Sequence, residues 1–397
     1  MPFTVEIIDH ASGDQLPLLL DSDGLPEPLP NEFILGRRHL SPNTSTRNLR
    51  EIAVFWRWLE REKIRFTDLI SGKYPLTEAH ISTGLIDFLR REQHTGRKVR
   101  KMAISPDTFN KRLTTIRQFV EWCFDMEISQ GTHVESDYER MVERKRFIHR
   151  QLSRHFVASP PENVELRKGL TERQYQYLIE LLIPPDAPLE TKSQAVAFRN
   201  YISTMLMLYH GLRPGELLSL RIEDIEFGAI SALRVRRRAR DSNDKRAKRP
   251  RIKRDGRVLD LRSENLAKHL DDYLMRWREI LCSTAQTDSE YLIVSDEGMP
   301  LSHQSVNEFF RLLREKHPDS LPVNLSPKSL RHTFSSRMER ELRSMGMDED
   351  RRRQALAFLR GDRNLSSQDV YIQQEIREQA DIALRSYQKN LLRNNAE

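Results

Sequence analysis

The sequence predicts a mainly α-helical protein with a small β-sheet, organised as two domains. Apolar residues recur at helical spacing throughout residues 41–154, which predicts an all-helical domain. This periodicity stops in residues 155–170, where a Ser-Pro-Pro run predicts an interdomain linker. Within residues 171–397, helical patterns alternate with short strand patterns, which predicts a second, mixed domain that ends in a helix.

Length and composition agree with two or three soluble domains. The 397 residues are 38% apolar and 31% charged, with a mean hydropathy of −0.65. No apolar stretch approaches the roughly 20 residues that a membrane span needs, and the N-terminus lacks the pattern of a secretory signal. We therefore expect a cytoplasmic protein that does not bind membranes. Cys123 and Cys282 are expected to be reduced.

The first domain is predicted to be helical, with basic connections. Residues 1–40 precede it as an N-terminal extension, whose alternating pattern suggests a β-hairpin. A Ser/Thr-rich segment opens the first helix after Pro42, and Thr77 precedes the second. Pro106 lies in the first turn of the third, where its missing N–H has no cost. A fourth helix is predicted at 138–154.

The second domain is predicted to contain several helices and a few strands. Thr171 and Gln174 have the spacing of a capping box. Strands are predicted at 233–237 and 257–261, joined by a basic segment, and a further strand at 291–294. Other helices are predicted from apolar residues three and four apart, at 198–209, 216–220, 263–281, 303–316, 327–343, 349–359 and 373–392.

Basic residues are concentrated in one segment. Residues 231–262 contain 14 Lys or Arg and 4 Asp or Glu, an excess larger than the net charge of +7 of the whole chain. Such a concentration indicates a polyanionic partner, most simply nucleic acid. The alternative is a solvated charged loop.

Common motifs of metal and nucleotide enzymes do not occur in the sequence, among them HExxH, CxxC, Walker A, GxGxxG and GxSxG. Two other segments stand out. In YHGLRPGELLSLRIEDIEF, Gly211 ends a predicted helix, and Arg213 lies on a turn where its fork of donors can bind a phosphate. A helix cap with a surface arginine is the alternative. In LSPKSLRHTFSSR, Ser326 caps a helix on which Lys328 and Arg331 share one face.

These segments resemble the tyrosine recombinase, or phage integrase, family. HGLRPGELLSLRIEDI matches most of the family pattern tGLRxxELlxLrxxDi, and KSLRHTFSS matches [HK]xLRHtfat. RGDRNLSSQDVY matches GHxxxxxTxxxY only in part. The resemblance covers about residues 170–390, and residues 41–154 resemble the family's helical, SAM-like core-binding domain. It implies a two-domain clamp around DNA.

The resemblance implies DNA strand exchange without metal, ATP or another cofactor. Tyr371 would attack the scissile phosphate and form a 3′-phosphotyrosine link, and Tyr387 is a much weaker candidate. Arg213 and Arg331 would bind the non-bridging oxygens and offset the charge of the transition state. His332 would have a structural role, and Glu216 and Asp224 would fix the turn of Arg213 as ion-pair or capping partners.

The resemblance also implies a lysine on a β-hairpin as general acid for the leaving 5′-hydroxyl. Lys253 is the first choice, because KRPRIKRDGRVLDL resembles the form KTxxRxlpL. Lys245 and Lys248 are alternatives, and simple attraction of phosphate is the plainer role for each of the three. The residues predicted to bind the DNA backbone are Arg236, Arg237, Arg238, Lys245, Lys248 and Arg251.

Two positions depart from the commonest family pattern. Lys328 lies where His is commonest, and a lysine there can still transfer a proton. Asp362 lies where His or Trp would donate to the phosphate, which an ionised carboxylate cannot do. Asp362 either orients an arginine, or reflects a wrong local alignment, or belongs to a weaker site. The separation of Arg331 from Tyr371 is also longer than usual, which an insertion around SMGMDEDRRRQ would explain.

The sequence therefore predicts a site-specific DNA recombinase of the integrase or transposase type. It would act on double-stranded DNA, in association with the nucleoid, as a homo-oligomer, from dimer to tetramer, with or without accessory recombination proteins. A type IB topoisomerase or telomere resolvase is one alternative. A non-catalytic DNA-binding accessory protein on a recombinase scaffold is another. An RNA-binding protein is disfavoured, because the sequence shows no stacking-platform motif.

Overall fold

Two compact units make up the chain, Met1–Glu162 and Asn163–Glu397. Their boundary falls inside the segment predicted to be a linker. The predicted clamp concerns the relative placement of the two units and stays a prediction. The residues that the computed structural model describes are 3–10, 14–74, 76–91, 104–129, 135–158, 169–183, 191–238, 241, 244, 246, 249–250, 252, 256–283, 289–362, 368 and 371.

The first unit combines a β-hairpin with a helical bundle. Strands β1 (Thr4–Asp9) and β2 (Gln15–Leu20) pair antiparallel, which confirms the predicted hairpin. A π-helical turn, His80–Leu85, leads into the fourth helix. The helices are α1 (Pro28–Leu35), α2 (Pro42–Arg61), α3 (Phe66–Ser71), α4 (Ile86–Leu89), α5 (Pro106–Ser129) and α6 (Glu135–Arg154).

A cluster of aromatic rings forms part of the core of the first unit. The rings of Phe66 and Phe119 stack 5.5 Å apart, and the ring of Phe33 meets Phe119 edge-on at 5.3 Å. Asn31 of α1 bonds both the N–H and the C=O of Leu19 in β2. Residues 15–35, part of the predicted extension, therefore pack on the same core as the helices that follow.

The second unit surrounds a small sheet with helices. The antiparallel strand order is β3 (Ile225–Glu226), β4 (Ser231–Val235) and β5 (Arg257–Leu261). A 3₁₀ turn, Ile222–Asp224, precedes β3, and a π-helical turn, Tyr273–Trp277, joins α10 to α11. The helices are α7 (Glu172–Leu182), α8 (Lys192–His210), α9 (Pro214–Leu217), α10 (Glu264–Asp272), α11 (Arg278–Cys282), α12 (His303–Lys316), α13 (Pro327–Ser344) and α14 (Glu349–Arg360).

Helix α8 runs through the core of the second unit and packs against α13. Ile202 and Leu206 of α8 and Leu330 of α13 are fully buried. The predicted capping box of Thr171 and Gln174 is confirmed at the start of α7. Ser326 caps α13, as predicted. The Ser326 cap fixes the start of α13, and the shared core holds α13 against α8, so that the two helices together carry the candidate site.

Three predicted elements of the second unit either differ from the structure or lie outside the residues it describes. The strand predicted at 291–294 is wrong, because its ends make only isolated bridges, from Tyr291 to Arg221 and from Val294 to Pro300. The short helix predicted at 216–220 is instead α9, which begins earlier because Pro214 fits its first turn. The helix predicted at 373–392 lies outside the described residues.

None of the helices in the described ranges is long and apolar enough to cross a membrane. The same ranges hold no group of three or more His, Cys, Asp or Glu side chains placed to bind a metal ion.

Candidate active site

A tight turn after α8 places Arg213. Gly211 ends α8 with φ at 59°, in the left-handed region that favours glycine. A Cβ atom at this position would overlap the ring of Phe334 on α13, so the close approach also requires glycine. The C=O of Gly211 accepts a hydrogen bond from a guanidinium Nη of Arg331. The turn before Arg213 is thereby fixed to the helix that carries Arg331.

Glu216 holds Arg213 in place, as the sequence predicted. Its Oε2 accepts from the N–H of Arg213 at 2.9 Å, and its Oε1 accepts from Nη1 of the same residue at 2.8 Å. The two carboxylate oxygens also accept from Nη1 and Nη2 of Arg257 at 3.2 and 3.1 Å. Burial opposes ionisation of Glu216, but Arg257 and Arg213 outweigh it and hold the pKa of this carboxyl below its usual value.

The C-terminal end of α14 meets both arginines. Gly361 ends the helix with φ at 62°, and the N–H of Asp362 donates to the C=O of Ala357 at 2.7 Å. The C=O of Arg360 accepts from Nη1 of Arg213 at 3.1 Å and from Nη2 of Arg331 at 2.9 Å. The negative end of the helix dipole therefore lies against two guanidinium groups.

Asp362 is the common partner of the arginines. Arg213 Nη2 donates to its carboxylate, and Arg331 Nη2 lies 3.3 Å from each carboxylate oxygen. Nε of Arg360 forms an ion pair with Oδ2 at 3.1 Å, and the same oxygen accepts a hydrogen bond from Nε2 of Gln368 at 3.1 Å. The carboxylate therefore contacts three arginines, as it would have to if Asp362 orients them, which is one of the alternatives weighed from the sequence.

Electrostatics keep this group of side chains charged. Burial raises the pKa of Asp362, but Arg360, Arg331 and Arg213 together lower it below its usual value, so the carboxylate is ionised. Burial, and then the charges of Arg360 and Arg213, lower the pKa of Arg331. An anion beside Arg331 consequently stabilises the charged guanidinium.

Tyr371 lies next to the arginines, but its hydroxyl is engaged elsewhere. The side chain is 4% exposed, and its hydroxyl oxygen is 2.7 Å from Nδ1 of His332. The guanidinium of Arg360 lies 4.8 Å from the centre of the Tyr371 ring. The structure thus brings Tyr371, Arg331 and Arg213 into one region, with the phenol on the histidine that follows Arg331.

Some of the other predicted site residues lie around this region, and the rest fall outside the residues that the structure describes. Lys328 is exposed on α13, one turn before Arg331. Arg236 and Arg237 are exposed beyond the end of β4, and Arg238 is half-buried. Four predicted basic residues fall outside the described residues: Lys245, Lys248, Arg251 and Lys253.

Two arginines of the basic segment pair with a buried carboxylate. Asp224, which is fully buried, lies 3.2 Å from Nε of Arg236 and 2.6 Å from Nη2 of Arg238. Arg238 also reaches Glu223 at 2.7 Å, and Asp224 caps the 3₁₀ turn through the N–H of Arg221. Asp224 therefore braces this turn and the end of β4 rather than the turn of Arg213, to which the sequence assigned it.

Sequence reasoning missed three residues of the site, namely Arg257, Arg360 and Gln368. A signal for Arg257 existed, because Arg257, Leu259 and Leu261 alternate onto the buried face of β5, where an arginine needs a carboxylate. Helical periodicity gives no comparable signal for Arg360 at the end of α14. Gln368 follows the helix in a segment without periodicity.

Comparison with known proteins gives a consistent result. Residues 168–351 match the model of the phage integrase family. The tyrosine recombinase XerC of Oceanobacillus iheyensis is 24% identical over 265 residues, which cover 64% of this chain and 74% of that protein. The type 1 fimbriae regulatory protein FimB of Escherichia coli K12 is 29% identical over 153 residues, which cover 38% of this chain and 64% of that protein.

Solved structures of low sequence identity share the fold. The site-specific recombinase XerH, in a post-cleavage complex with its difH substrate, superposes with a TM-score of 0.54 at 13% identity, covering 88% of this chain and 83% of that one. The Tn1549 transposon integrase, in complex with transposon right-end DNA, gives a TM-score of 0.50 at 17% identity, covering 86% of this chain and 93% of that one.

Proposed function

The chain belongs to the phage integrase family of tyrosine recombinases, and we propose that Tyr371, Arg213 and Arg331 cut and rejoin double-stranded DNA in it. One observation carries the assignment of these residues. Two arginines from distant parts of the chain converge on a single carboxylate, Asp362, beside the buried phenol of Tyr371. Guanidinium pairs of this kind suit the non-bridging oxygens of a phosphate.

The proposed reaction transfers a phosphoryl group twice. The phenolic oxygen of Tyr371 attacks the scissile phosphorus, a new P–O bond forms to the tyrosine, and the bond to the 5′-oxygen breaks. The phenolic proton goes to a base, and the leaving 5′-oxygen takes a proton from an acid. A 5′-hydroxyl then attacks the phosphotyrosine and releases the phenol. The number of phosphoester bonds is conserved, so the scheme consumes no nucleotide.

Arg213 and Arg331 stabilise the transition state in this scheme, because negative charge accumulates on the oxygens that they bind. Lys253 is the proposed acid for the leaving oxygen, with Lys245 and Lys248 as alternatives. Lys328 is exposed on the same helix face as Arg331, which supports a role in proton transfer. Tyr371 must leave His332 to reach a phosphorus atom, since its hydroxyl is bonded there.

The proposed partner is double-stranded DNA. Both XerH, described in a complex with its difH substrate, and the Tn1549 integrase, described in a complex with transposon DNA, share the fold. We propose that residues 41–154 contribute a core-binding domain and that two to four copies assemble on the DNA, each cutting one strand. Arg236, Arg237, Arg238, Lys245, Lys248 and Arg251 are the proposed contacts to the backbone. The proposal also allows accessory recombination proteins to join the assembly on DNA.

A covalent protein–DNA adduct is the decisive test. The protein is incubated with a library of nicked duplexes of random sequence, and adducts that survive denaturation by detergent are digested and analysed by mass spectrometry. We expect the adduct on Tyr371, its loss in Tyr371→Phe and its retention in Tyr387→Phe. An adduct on another residue, or one that persists in Tyr371→Phe, would contradict the assigned nucleophile.

A non-catalytic DNA-binding protein is the second candidate, because Asp362 already neutralises the arginines that a phosphate needs. This reading predicts duplex binding without any adduct in the same assay. A type IB topoisomerase would instead relax supercoiled plasmid that lacks a recombination site. Plasmid relaxation that is lost in Tyr371→Phe would favour that enzyme over a recombinase.

A further inference from the structure

Asp362 is surrounded by donors of the kind that bind phosphate. Guanidinium nitrogens of Arg213, Arg331 and Arg360 reach its two carboxylate oxygens, and the amide of Gln368 donates to one of them. Each donor is charged or is a strong amide donor, and together they approach the two oxygens from several directions. A tetrahedral oxyanion suits such a set of donors as well as a carboxylate does.

The charge of the site favours exchange of one anion for another. Arg213, Arg257, Arg331 and Arg360 bring four positive charges, and Glu216 and Asp362 bring two negative charges. Glu216 is bound by two hydrogen bonds from Arg257 and is deeply buried, so it is fixed. A phosphodiester carries one negative charge, as Asp362 does. Exchange of the Asp362 carboxylate for a phosphodiester therefore leaves the net charge of the site unchanged.

The site has one open side. The side chain of Arg213 is 33% exposed, whereas those of Arg331, Arg360 and Asp362 are 8%, 9% and 5% exposed. An anion from solvent therefore meets Arg213 first. The backbone of Asp362 is held by its hydrogen bond to Ala357, so the carboxylate would leave the arginines by rotation of its side chain rather than by movement of the backbone.

We propose that Asp362 is an internal substitute for the DNA phosphate, which fills an anion site formed by Arg213, Arg331 and Arg360 until a phosphate displaces it. Arg360 is the third guanidinium of this site and supplies the donor that the carboxylate at position 362 cannot. The inference that an anion site exists depends on the geometry alone. The inference that its natural occupant is a phosphate of DNA depends on the proposed function.

Competition by an internal anion weakens binding of an external one. When only a fraction of molecules has the site open, the apparent dissociation constant rises by the inverse of that fraction. If Asp362 fills the site in about nine molecules of ten, its removal tightens anion binding about tenfold. Asp362 then sets how readily the site accepts a phosphate, without itself touching the DNA.

Sulfate is a suitable probe, because it is a tetrahedral anion and needs no knowledge of the DNA target. Thermal unfolding of the full-length protein is followed while sulfate replaces chloride at constant ionic strength. We compare the wild type with Asp362→Asn, which keeps the shape but loses the charge. Asp260→Asn is the matched control, since Asp260 pairs with Arg262 on the exposed face of β5.

We expect sulfate to raise the melting temperature of Asp362→Asn at concentrations about tenfold lower than for the wild type. Asp260→Asn should respond as the wild type does. Adding Arg360→Met to Asp362→Asn should remove most of the gain, because the third guanidinium is lost. Equal sulfate responses of the wild type and Asp362→Asn, or no effect of Arg360→Met, would overturn the proposal.

A second variant keeps the test open if Asp362→Asn does not fold. Gln368→Met retains the carboxylate but removes the amide that donates to Oδ2 of Asp362. Gln368→Met should respond to sulfate at lower concentrations than the wild type does, because its carboxylate is held by one donor fewer, and a response equal to that of the wild type would contradict the proposal.

The adduct assay separates this inference from the proposed function. An enhanced sulfate response in Asp362→Asn, without any DNA adduct in the wild type, would support the anion site and contradict the recombinase assignment. A Tyr371 adduct in the wild type, combined with an unchanged sulfate response in Asp362→Asn, would do the reverse. Asp362 would then be a positioning residue only.

Discussion

The hydroxyl of Tyr371 lies 2.7 Å from Nδ1 of His332, the residue that follows Arg331 on α13. The same tyrosine is 4% exposed and has the guanidinium of Arg360 against its ring. The proposed nucleophile is thus held by the helix that carries Arg331, one of the arginines proposed to bind the phosphate, and by the residue that ends α14. A phenol held in this way has to be released before it can attack a phosphorus atom.

Chemical nitration of tyrosines measures this shielding. In the protein without DNA, Tyr371 should react with tetranitromethane much more slowly than Tyr138, which is 48% exposed in the first unit. His332→Ala should raise the reactivity of Tyr371, because it removes the hydrogen-bond partner and opens space beside the ring. Peptide mass spectrometry gives both rates from one sample. Similar rates for Tyr371 and Tyr138 in the wild type would contradict the buried position.

Replacement of the two central arginines should affect chemistry more than binding. Arg213→Lys and Arg331→Lys keep the charge but lose the paired donors, and we expect adduct formation to fall by roughly 10²–10³-fold. Arg337→Lys is the matched control, because Arg337 lies on α13 but pairs with Glu172 at the surface. The measurement is the single-turnover rate of adduct formation. A rate for Arg331→Lys near that of Arg337→Lys would argue against a role in the transition state.

A sulfur-substituted substrate identifies the general acid among the lysines. Each of Lys253, Lys245, Lys248 and Lys328 is changed to alanine, and cleavage is measured with oxygen or with sulfur at the leaving 5′ position. A thiolate leaves without protonation, so only loss of the true acid is rescued by sulfur. We expect rescue for Lys253→Ala and not for the others. Rescue of Lys245→Ala or Lys248→Ala would transfer the role to that residue.

Periodicity and caps predicted most of the second unit. The bounds of α12 are those expected, and the strand pair of β4 and β5 lies within two residues of its predicted position. These elements follow from local rules, such as an N-cap at Ser326 and alternation along β5. The strand predicted at 291–294 was wrong because its apolar run fits a buried, irregular segment as well as a strand.

The site itself depends on contacts that no local pattern encodes. The sequence pointed to Arg213, Arg331 and Tyr371 through the resemblance, and it left the role of Asp362 open. The convergence of Arg213 and Arg331 on Asp362 arises from the packing of α13 against both α8 and α14. Such ion pairs join residues far apart in the chain, so they become visible only in three dimensions.

The buried ion pairs of Glu216 predict a pH-dependent stability. The folded-state pKa of Glu216 lies below its ordinary value of 4.5, so its stabilising contribution is complete above pH 4.5 and is lost as pH falls through the folded-state value. Asp362 contributes with the same sign. Glu216→Gln should lower the free energy of unfolding at neutral pH by about 3–5 kcal/mol, because it leaves buried guanidiniums without their partner.

The same variant should flatten the acid limb of the stability curve. Urea unfolding at several pH values between neutrality and the acid transition gives the free energy at each point. Glu308→Gln on α12 is the control, since that carboxylate forms an exposed pair with Arg311. An equally steep acid limb in Glu216→Gln and in the wild type would show that other groups dominate acid unfolding.

The arginines that follow β4 should differ in their effect on DNA binding. Arg237 is exposed, whereas Arg238 is half-buried and bonded to Glu223 and to the buried Asp224. A freely exposed arginine that contacts a phosphate displaces counterions, so Arg237→Ala should reduce the slope of log Kd against log salt by about 1. Arg238→Ala should change the slope less, because its charge is already paired within the protein, and should lower the melting temperature more.

Fluorescence anisotropy of a labelled duplex over a range of sodium chloride concentrations gives the slopes. If Arg238→Ala reduced the slope more than Arg237→Ala, the ion pair with Asp224 would have to open on DNA, and the basic segment would be rearranged when it binds.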